Sequence, residues 1–204
     1  MRDCFIKLNL VIATPAERFG LLTIILLGEF VASVMRGIES QMGWSLLPAS
    51  AAVLSLALGF TIWSSYSDGA MGWKARHVRG HRDVVRLRAW IALHFALFLG
   101  IDVLGVGVRR AIVLAPGGYF SDQEQWIICA TAAGIILVNM GIAAMSERHV
   151  RSGGRSVWLS QAGIALGALT LAPLSTQIIT TGILWLLLLC FAVQIVALIA
   201  NRQL

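Results

Sequence analysis

The sequence of 204 residues is 58% hydrophobic and only 13% charged, and its mean hydropathy of +0.81 is well above the range of soluble domains. This composition excludes an ordinary soluble domain, since apolar runs of about 18 or more residues recur, each long enough to cross a membrane as a helix. The formal charge of +6 needs no nucleic-acid partner, because basic residues of membrane proteins concentrate in cytoplasmic loops beside the lipid.

The apolar runs predict an all-α integral membrane protein that forms a single transmembrane domain over residues 1–204. Six transmembrane helices are expected, at about 18–36, 45–66, 87–109, 125–146, 156–173 and 177–200. Glycine, proline and polar residues mark the breaks between them. The longest breaks are SDGAMGWKARHVRGHRDVVRLR, APGGYFSDQEQ and SERHVRSGGRS.

The distribution of basic residues predicts the orientation of these helices. With the N-terminus inside, 13 of the 16 lysines and arginines fall on inner segments, and Arg36, Arg109 and Arg110 lie outside. The positive-inside rule therefore places both termini in the cytoplasm. Tryptophans near predicted helix ends are typical of the headgroup layer and agree with this topology; they are Trp44, Trp63, Trp90, Trp126 and Trp158.

Three ionisable side chains lie inside predicted spans. His94 and Asp102 interrupt the apolar run LHFALFLGID, and Glu29 lies in the first helix. Each such group costs at least roughly 2.5–3.5 kcal/mol near the bilayer centre, so these three are expected to turn away from lipid and find polar partners. The candidate partners are Ser33, Thr61, Asn139, Gln161 and Gln194, which together predict a buried polar seam.

The seam has two readings. In the functional one it binds or passes a proton or cation, with Glu29 as carrier or ligand, His94 as relay and Asp102 as second ligand. In the structural one its members only hydrogen-bond across helices and specify packing. A lone histidine in a span is also compatible with a haem or chlorophyll ligand, although no cofactor is otherwise predicted.

Enzyme chemistry is not indicated. The cysteines Cys4, Cys129 and Cys190 are scattered, without the spacing of a zinc site or a disulfide framework. The chain has no Ser/His/Asp set and no pair of histidines at metal-binding spacing inside a span. We therefore expect neither catalysis nor a bound metal.

Three stretches resemble the bacterial low-temperature-requirement A membrane proteins: ERFGLLTIILLGE, WSSYSD and LHFALFLGIDVLGVGVRRAI, in that order between about residues 14 and 115. Carried over position by position, the resemblance marks the family's polar signature as Glu17, Arg18, Glu29, Tyr66, Asp68 and His94. The chain departs from the family pattern at Thr14, Phe30 and Asp102, and its last three helices add little.

The resemblance is to the second half of the longer family members only. It implies a multi-pass protein of the bacterial inner membrane that pairs with a copy of itself, as a homodimer, or with a larger membrane complex. The leading hypothesis is proton- or cation-linked transport or conduction. The alternative is a non-catalytic accessory subunit of a pigment or redox complex.

Overall fold

The computed structural model describes the backbone of residues 2–41, 43, 45–70, 81–145, 155–174 and 179–200. Within it, side chains are described for residues 18–41, 43, 45–67, 83–145, 159–173 and 179–196. This part of the chain is all-α. Its six helices are α1 (Arg2–Glu39), α2 (Leu46–Ala70), α3 (His81–Leu114), α4 (Asp122–Met145), α5 (Arg155–Leu174) and α6 (Thr180–Ala200).

The helices confirm the all-α fold class that the apolar runs predict. Four contain a stretch long and apolar enough to cross a membrane, namely Arg18–Glu39, Leu46–Ser67, Asp83–Leu114 and Asp122–Met145. The described apolar stretches of the last two helices are shorter, Leu159–Pro173 and Thr180–Val196. Large apolar side chains cover the outer surface of the bundle, as a lipid environment requires; they include Leu21, Ile25, Phe95, Val106, Trp185 and Leu189.

Two helices begin earlier than predicted. α1 starts at Arg2, where residue 18 was expected, and α3 starts at His81, where residue 87 was expected. Hydropathy marks only the part of a helix that lies in lipid, whereas arginine and lysine are good helix formers and extend it into water. Trp90 is consequently nine residues inside α3, and its ring is buried in the bundle.

The helices form a closed ring in the order α1, α3, α4, α5, α6 and α2, with each packed against the next. Consecutive helices along the chain run antiparallel, so α1 and α3 are parallel. The α3–α4 contact is close because α3 carries a glycine, Gly107, opposite Ile128. A Cβ on Gly107 would lie only 2.8 Å from Ile128 Cγ1.

A tight turn joins α3 to α4 at one end of the bundle. Gly117 adopts a positive φ of 109°, which favours glycine. Ser121 then caps α4: its Oγ accepts from Glu124 N at 3.3 Å, and the Glu124 carboxylate accepts from Ser121 N at 2.9 Å. We call this end of the bundle, defined by residues 115–121, the turn end. The opposite end, where α2 ends at Ala70, α3 begins at His81, α4 ends at Met145 and α5 begins at Arg155, is called the loop end.

The interior is divided by depth. Aliphatic side chains fill the half nearer the turn end, among them Val34, Leu54, Val108, Ile112 and Ile128. Buried polar side chains in that half are bonded to the main chain: Ser55 donates to Ala51 O at 2.7 Å, and Gln125 donates to Ala172 O at 2.8 Å. The half nearer the loop end contains the candidate site.

Candidate functional site

His94 lies at the centre of an aromatic cage in the loop-end half. Its side chain is fully buried, and four rings from three helices surround it. The ring centroids of Trp90 and Phe98, one helical turn before and after it on α3, lie 3.9 Å and 6.1 Å away. Phe19 of α1 is at 5.0 Å and Tyr66 of α2 at 5.7 Å.

Both imidazole nitrogens of His94 are engaged. Nδ1 lies 2.9 Å from Trp90 O, and because a carbonyl only accepts, Nδ1 is the protonated nitrogen. Nε2 then accepts from the Tyr66 hydroxyl at 3.3 Å. The side chain of Thr23 also lies beside the Tyr66 hydroxyl, and the Thr23 hydroxyl donates its hydrogen to Phe19 O at 2.8 Å. A metal at Nε2 would require the Tyr66 hydroxyl to move away.

A second group of polar side chains lies beside this cage. Asn139 of α4 donates from Nδ2 to Ser65 Oγ at 3.0 Å, next to Tyr66 in the sequence. Ser65 Oγ donates its own hydrogen to Ile62 O at 2.9 Å, so it can only accept from Asn139. That requirement fixes the orientation of the Asn139 amide and leaves its Oδ1 pointing elsewhere.

Three buried amides keep polar atoms without hydrogen-bond partners in the described chain. The atoms are Asn139 Oδ1, Gln161 Nε2, Gln161 Oε1 and Gln194 Oε1. The three side chains are at most 6% exposed, so bulk water does not reach these atoms. Three of the four are oxygens, which can only accept hydrogen bonds or coordinate a cation.

The three amides occupy corresponding positions along their helices. Each lies six residues from the loop end of its own helix, which is Met145 for α4, Arg155 for α5 and Ala200 for α6. Ser65 and Tyr66 lie within five residues of Ala70, the loop end of α2. We call this set the polar layer; its members are Ser65, Tyr66, His94, Asn139, Gln161 and Gln194. Polar seam residues were thus predicted correctly in Asn139, Gln161 and Gln194.

The two carboxylates of the predicted seam are not in the polar layer. The Glu29 side chain is 61% exposed and pairs with Arg36 of the same helix at 3.1 Å. Asp102 is exposed. Within a single chain, the expected inward orientation of these carboxylates is wrong, and the structure does not bring them together with His94. Their role in ion binding stays a prediction.

Helical geometry explains why Asp102 departs from His94. The eight residues between them correspond to about 80° of rotation. Phe98, between them in angle and height, is at the edge of the buried arc, so Asp102 falls just outside it. The sequence gives this angle but not the width of the buried arc, which depends on where α1 packs.

The remaining signature residues are divided between interior and surface. Tyr66 is buried in the cage, whereas Arg18 is exposed. The side chains of Glu17 and Asp68 lie outside the described residues. Sequence reasoning missed Phe19, Thr23 and Trp90. A spacing of four residues could have identified them, because residues four apart lie on the same face of a helix. Phe19 and Thr23 share a face of α1 in this way, and Trp90 and His94 share a face of α3.

Comparison with known proteins extends the resemblance seen in the sequence. The search of curated proteins and that of solved structures found no match. A family model described as bacterial low temperature requirement A protein (LtrA) matches residues 11–196. The match therefore continues through the last three helices, which the motifs between residues 14 and 115 did not reach. On this coverage, the chain belongs to the bacterial LtrA membrane protein family.

Proposed function

We propose that this protein moves a proton or a small cation across a bacterial inner membrane, and that the polar layer is its binding site. The observation that carries the proposal is the set of four unpartnered atoms on Asn139, Gln161 and Gln194. Three of the four atoms are amide oxygens, one from each of three helices, and an oxygen that accepts no hydrogen bond from the described chain can bind a cation or a hydronium ion.

Hydrogen bonds within the described chain do not satisfy these amides. A buried polar atom left without a hydrogen bond costs about 1–3 kcal/mol, so four such atoms cost roughly 4–12 kcal/mol. That range is comparable to the whole stability of a typical domain, about 5–15 kcal/mol. An aliphatic side chain at each position avoids this cost. A solute or water that bonds to these oxygens in the working protein offsets it.

The depth of the polar layer favours a transporter over an open channel. The layer occupies the loop-end half, and the apolar half closes the path toward the turn end. A bound ion therefore leaves on that side only after the helices rearrange, as in alternating access. If both termini are cytoplasmic, as the basic residues indicate, the layer lies in the cytoplasmic half of the bundle.

The test compares Gln161→Leu with Thr170→Leu in reconstituted liposomes. Both replace a polar residue of α5 by leucine, but Thr170 is exposed and bonds only to Gly167 O of its own helix at 2.8 Å. Proton, sodium and potassium fluxes are measured with ion-sensitive dyes. We expect Gln161→Leu to lower the flux of the transported ion at least tenfold and Thr170→Leu to leave it unchanged.

Two results would overturn the proposal. One is equal flux from Gln161→Leu and the parent protein, and the other is no flux of any of the three ions from a folded parent protein. Folding is checked separately by thermal unfolding and by elution of each variant from a sizing column.

A further inference from the structure

The outer face of α1 and α3 carries charged side chains at a depth where lipid tails are expected. Glu29 lies at the middle of the candidate span Arg18–Glu39, and Asp102 lies near the middle of Asp83–Leu114. Both side chains are exposed. An acidic group in contact with hydrocarbon costs at least roughly 2.5–3.5 kcal/mol, so this face is unfavourable in an isolated chain.

The two carboxylates line the same groove. Ser33 Oγ lies 3.5 Å from the position of a Cβ on Gly105, which sets these two residues at one level of the α1–α3 contact. Glu29 is four residues before Ser33, about 6 Å along α1, and Asp102 is three residues before Gly105, about 4.5 Å along α3. Because α1 and α3 are parallel, the carboxylates flank the groove at nearly equal depth.

On both α1 and α3, an acidic residue and an arginine are separated by the same number of residues. An arginine follows the acid by seven residues, as Arg36 after Glu29 and Arg109 after Asp102. On α1 the arginine reaches back to its acid and closes the pair at 3.1 Å, across about 10 Å of helix rise. On α3 neither Asp102 nor the exposed Arg109 makes a side-chain ion pair with the described part of the chain. The face is neutral in sum but incompletely paired.

We propose that a second copy of this chain covers the α1–α3 face, related by a two-fold axis along the membrane normal. Such an axis presents the same residues at the same depth from both sides, so the interface is self-complementary. The partner's Arg109 then reaches Asp102 as Arg36 reaches Glu29. Each copy contributes two acids and two arginines, so the face has no net charge. A face without net charge is better matched by a second copy of itself than by an anionic or cationic partner.

This assignment is independent of what the polar layer binds. Gln161 and Gln194 belong to α5 and α6, across the ring from the proposed interface, and Asn139 belongs to α4, where its side chain bonds toward α2 and away from that face. Loss of the dimer and loss of ion transport are therefore separate outcomes.

Oxidative cross-linking of introduced cysteines in membranes tests the interface. Val106→Cys places a thiol between Asp102 and Arg109 on the exposed side of α3, and Leu166→Cys places one on the exposed side of α5. The parent protein gives the background from its own thiols. We expect a covalent dimer from Val106→Cys at least fivefold above that of Leu166→Cys.

Native mass measurement in mild detergent supplies the second readout. The parent protein is expected to be a dimer, and Asp102→Arg, which places like charges together, to raise the dimer dissociation constant at least tenfold. Asp122→Asn, at the exposed start of α4, is the matched change outside the interface and leaves it unchanged. A monomeric parent protein, equal cross-linking at both positions, or a different protein held on this face would overturn the proposal.

Discussion

The same substitution at two buried glutamines of the bundle is expected to change stability in opposite directions. Gln125 and Gln161 are both nearly fully buried, at 1% and 2% exposure. Gln125 donates to Ala172 O at 2.8 Å, whereas neither polar atom of Gln161 has a hydrogen-bond partner in the described chain. Leucine has a similar volume and no polar side-chain atom. The difference in stability between the two variants therefore reports the contribution of side-chain hydrogen bonding at each position.

The magnitudes follow from the pairing of each amide. Gln161→Leu removes two unpartnered atoms, each of which costs about 1–3 kcal/mol. The free energy of unfolding is therefore expected to rise by at most roughly 2–6 kcal/mol, and by less if leucine fits the site poorly. Gln125→Leu loses an interhelical hydrogen bond, for which membrane measurements average about 0.6 kcal/mol and reach about 1.7. For a chain of this size, 1 kcal/mol shifts Tm by roughly 2–4 °C.

Thermal unfolding in detergent, followed by tryptophan fluorescence, measures both variants against the parent protein. We expect a higher Tm for Gln161→Leu and a lower Tm for Gln125→Leu. If both variants lower Tm by the same amount, the Gln161 amide is satisfied by other groups and the polar layer loses its main support. A gain in stability together with lost flux is the pattern expected when a residue is kept for function.

Two further predictions concern contacts around the site. Tyr66→Phe leaves Nε2 of His94 buried without its donor, and we expect a loss of about 1–3 kcal/mol, measured by thermal unfolding; an unchanged Tm would contradict the 3.3 Å contact. Gly107→Ala forces a Cβ to within 2.8 Å of Ile128 and should lower stability by about 1–3 kcal/mol. Gly163→Ala, which meets nothing within 4 Å, should instead be neutral or stabilising by about 1 kcal/mol; equal effects of the two alanines would show that α3 and α4 are less closely packed.

The sequence predicted the helices better than it predicted what they face. A run of about 20 apolar residues has few folded alternatives, and all six expected helices overlap observed ones. The direction of a side chain depends instead on which neighbours a helix acquires. His94 and Asp102 illustrate this limit, because 80° of rotation is enough to place one in the aromatic cage and the other on the surface.

Position along a helix was also misjudged where the apolar run and the helix differ in length. Trp90 looked like an interfacial residue because it follows RLR, a basic stretch just before the apolar run. The helix continues through that stretch, and the sequence does not show that the ring packs 3.9 Å from His94. The amides were visible as polar residues, but no pattern in the sequence shows that Asn139 bonds to Ser65 while Gln161 bonds to nothing within the described chain.

The separation of polar groups in this bundle follows from how each kind is stabilised. Glu29 and Arg36 reach each other across two helical turns on the surface, where long side chains can pair with one another or with a second subunit. The amides of Asn139 and Gln161 are short, neutral and buried, so they cannot extend to the headgroup layer and must be satisfied where they lie. Charged residues therefore suit an interface between copies, and neutral oxygens suit a binding site that an ion enters and leaves. If the polar layer binds a cation as proposed, a carboxylate in the same position would hold that cation more tightly and slow its release, which would favour amides over acids there.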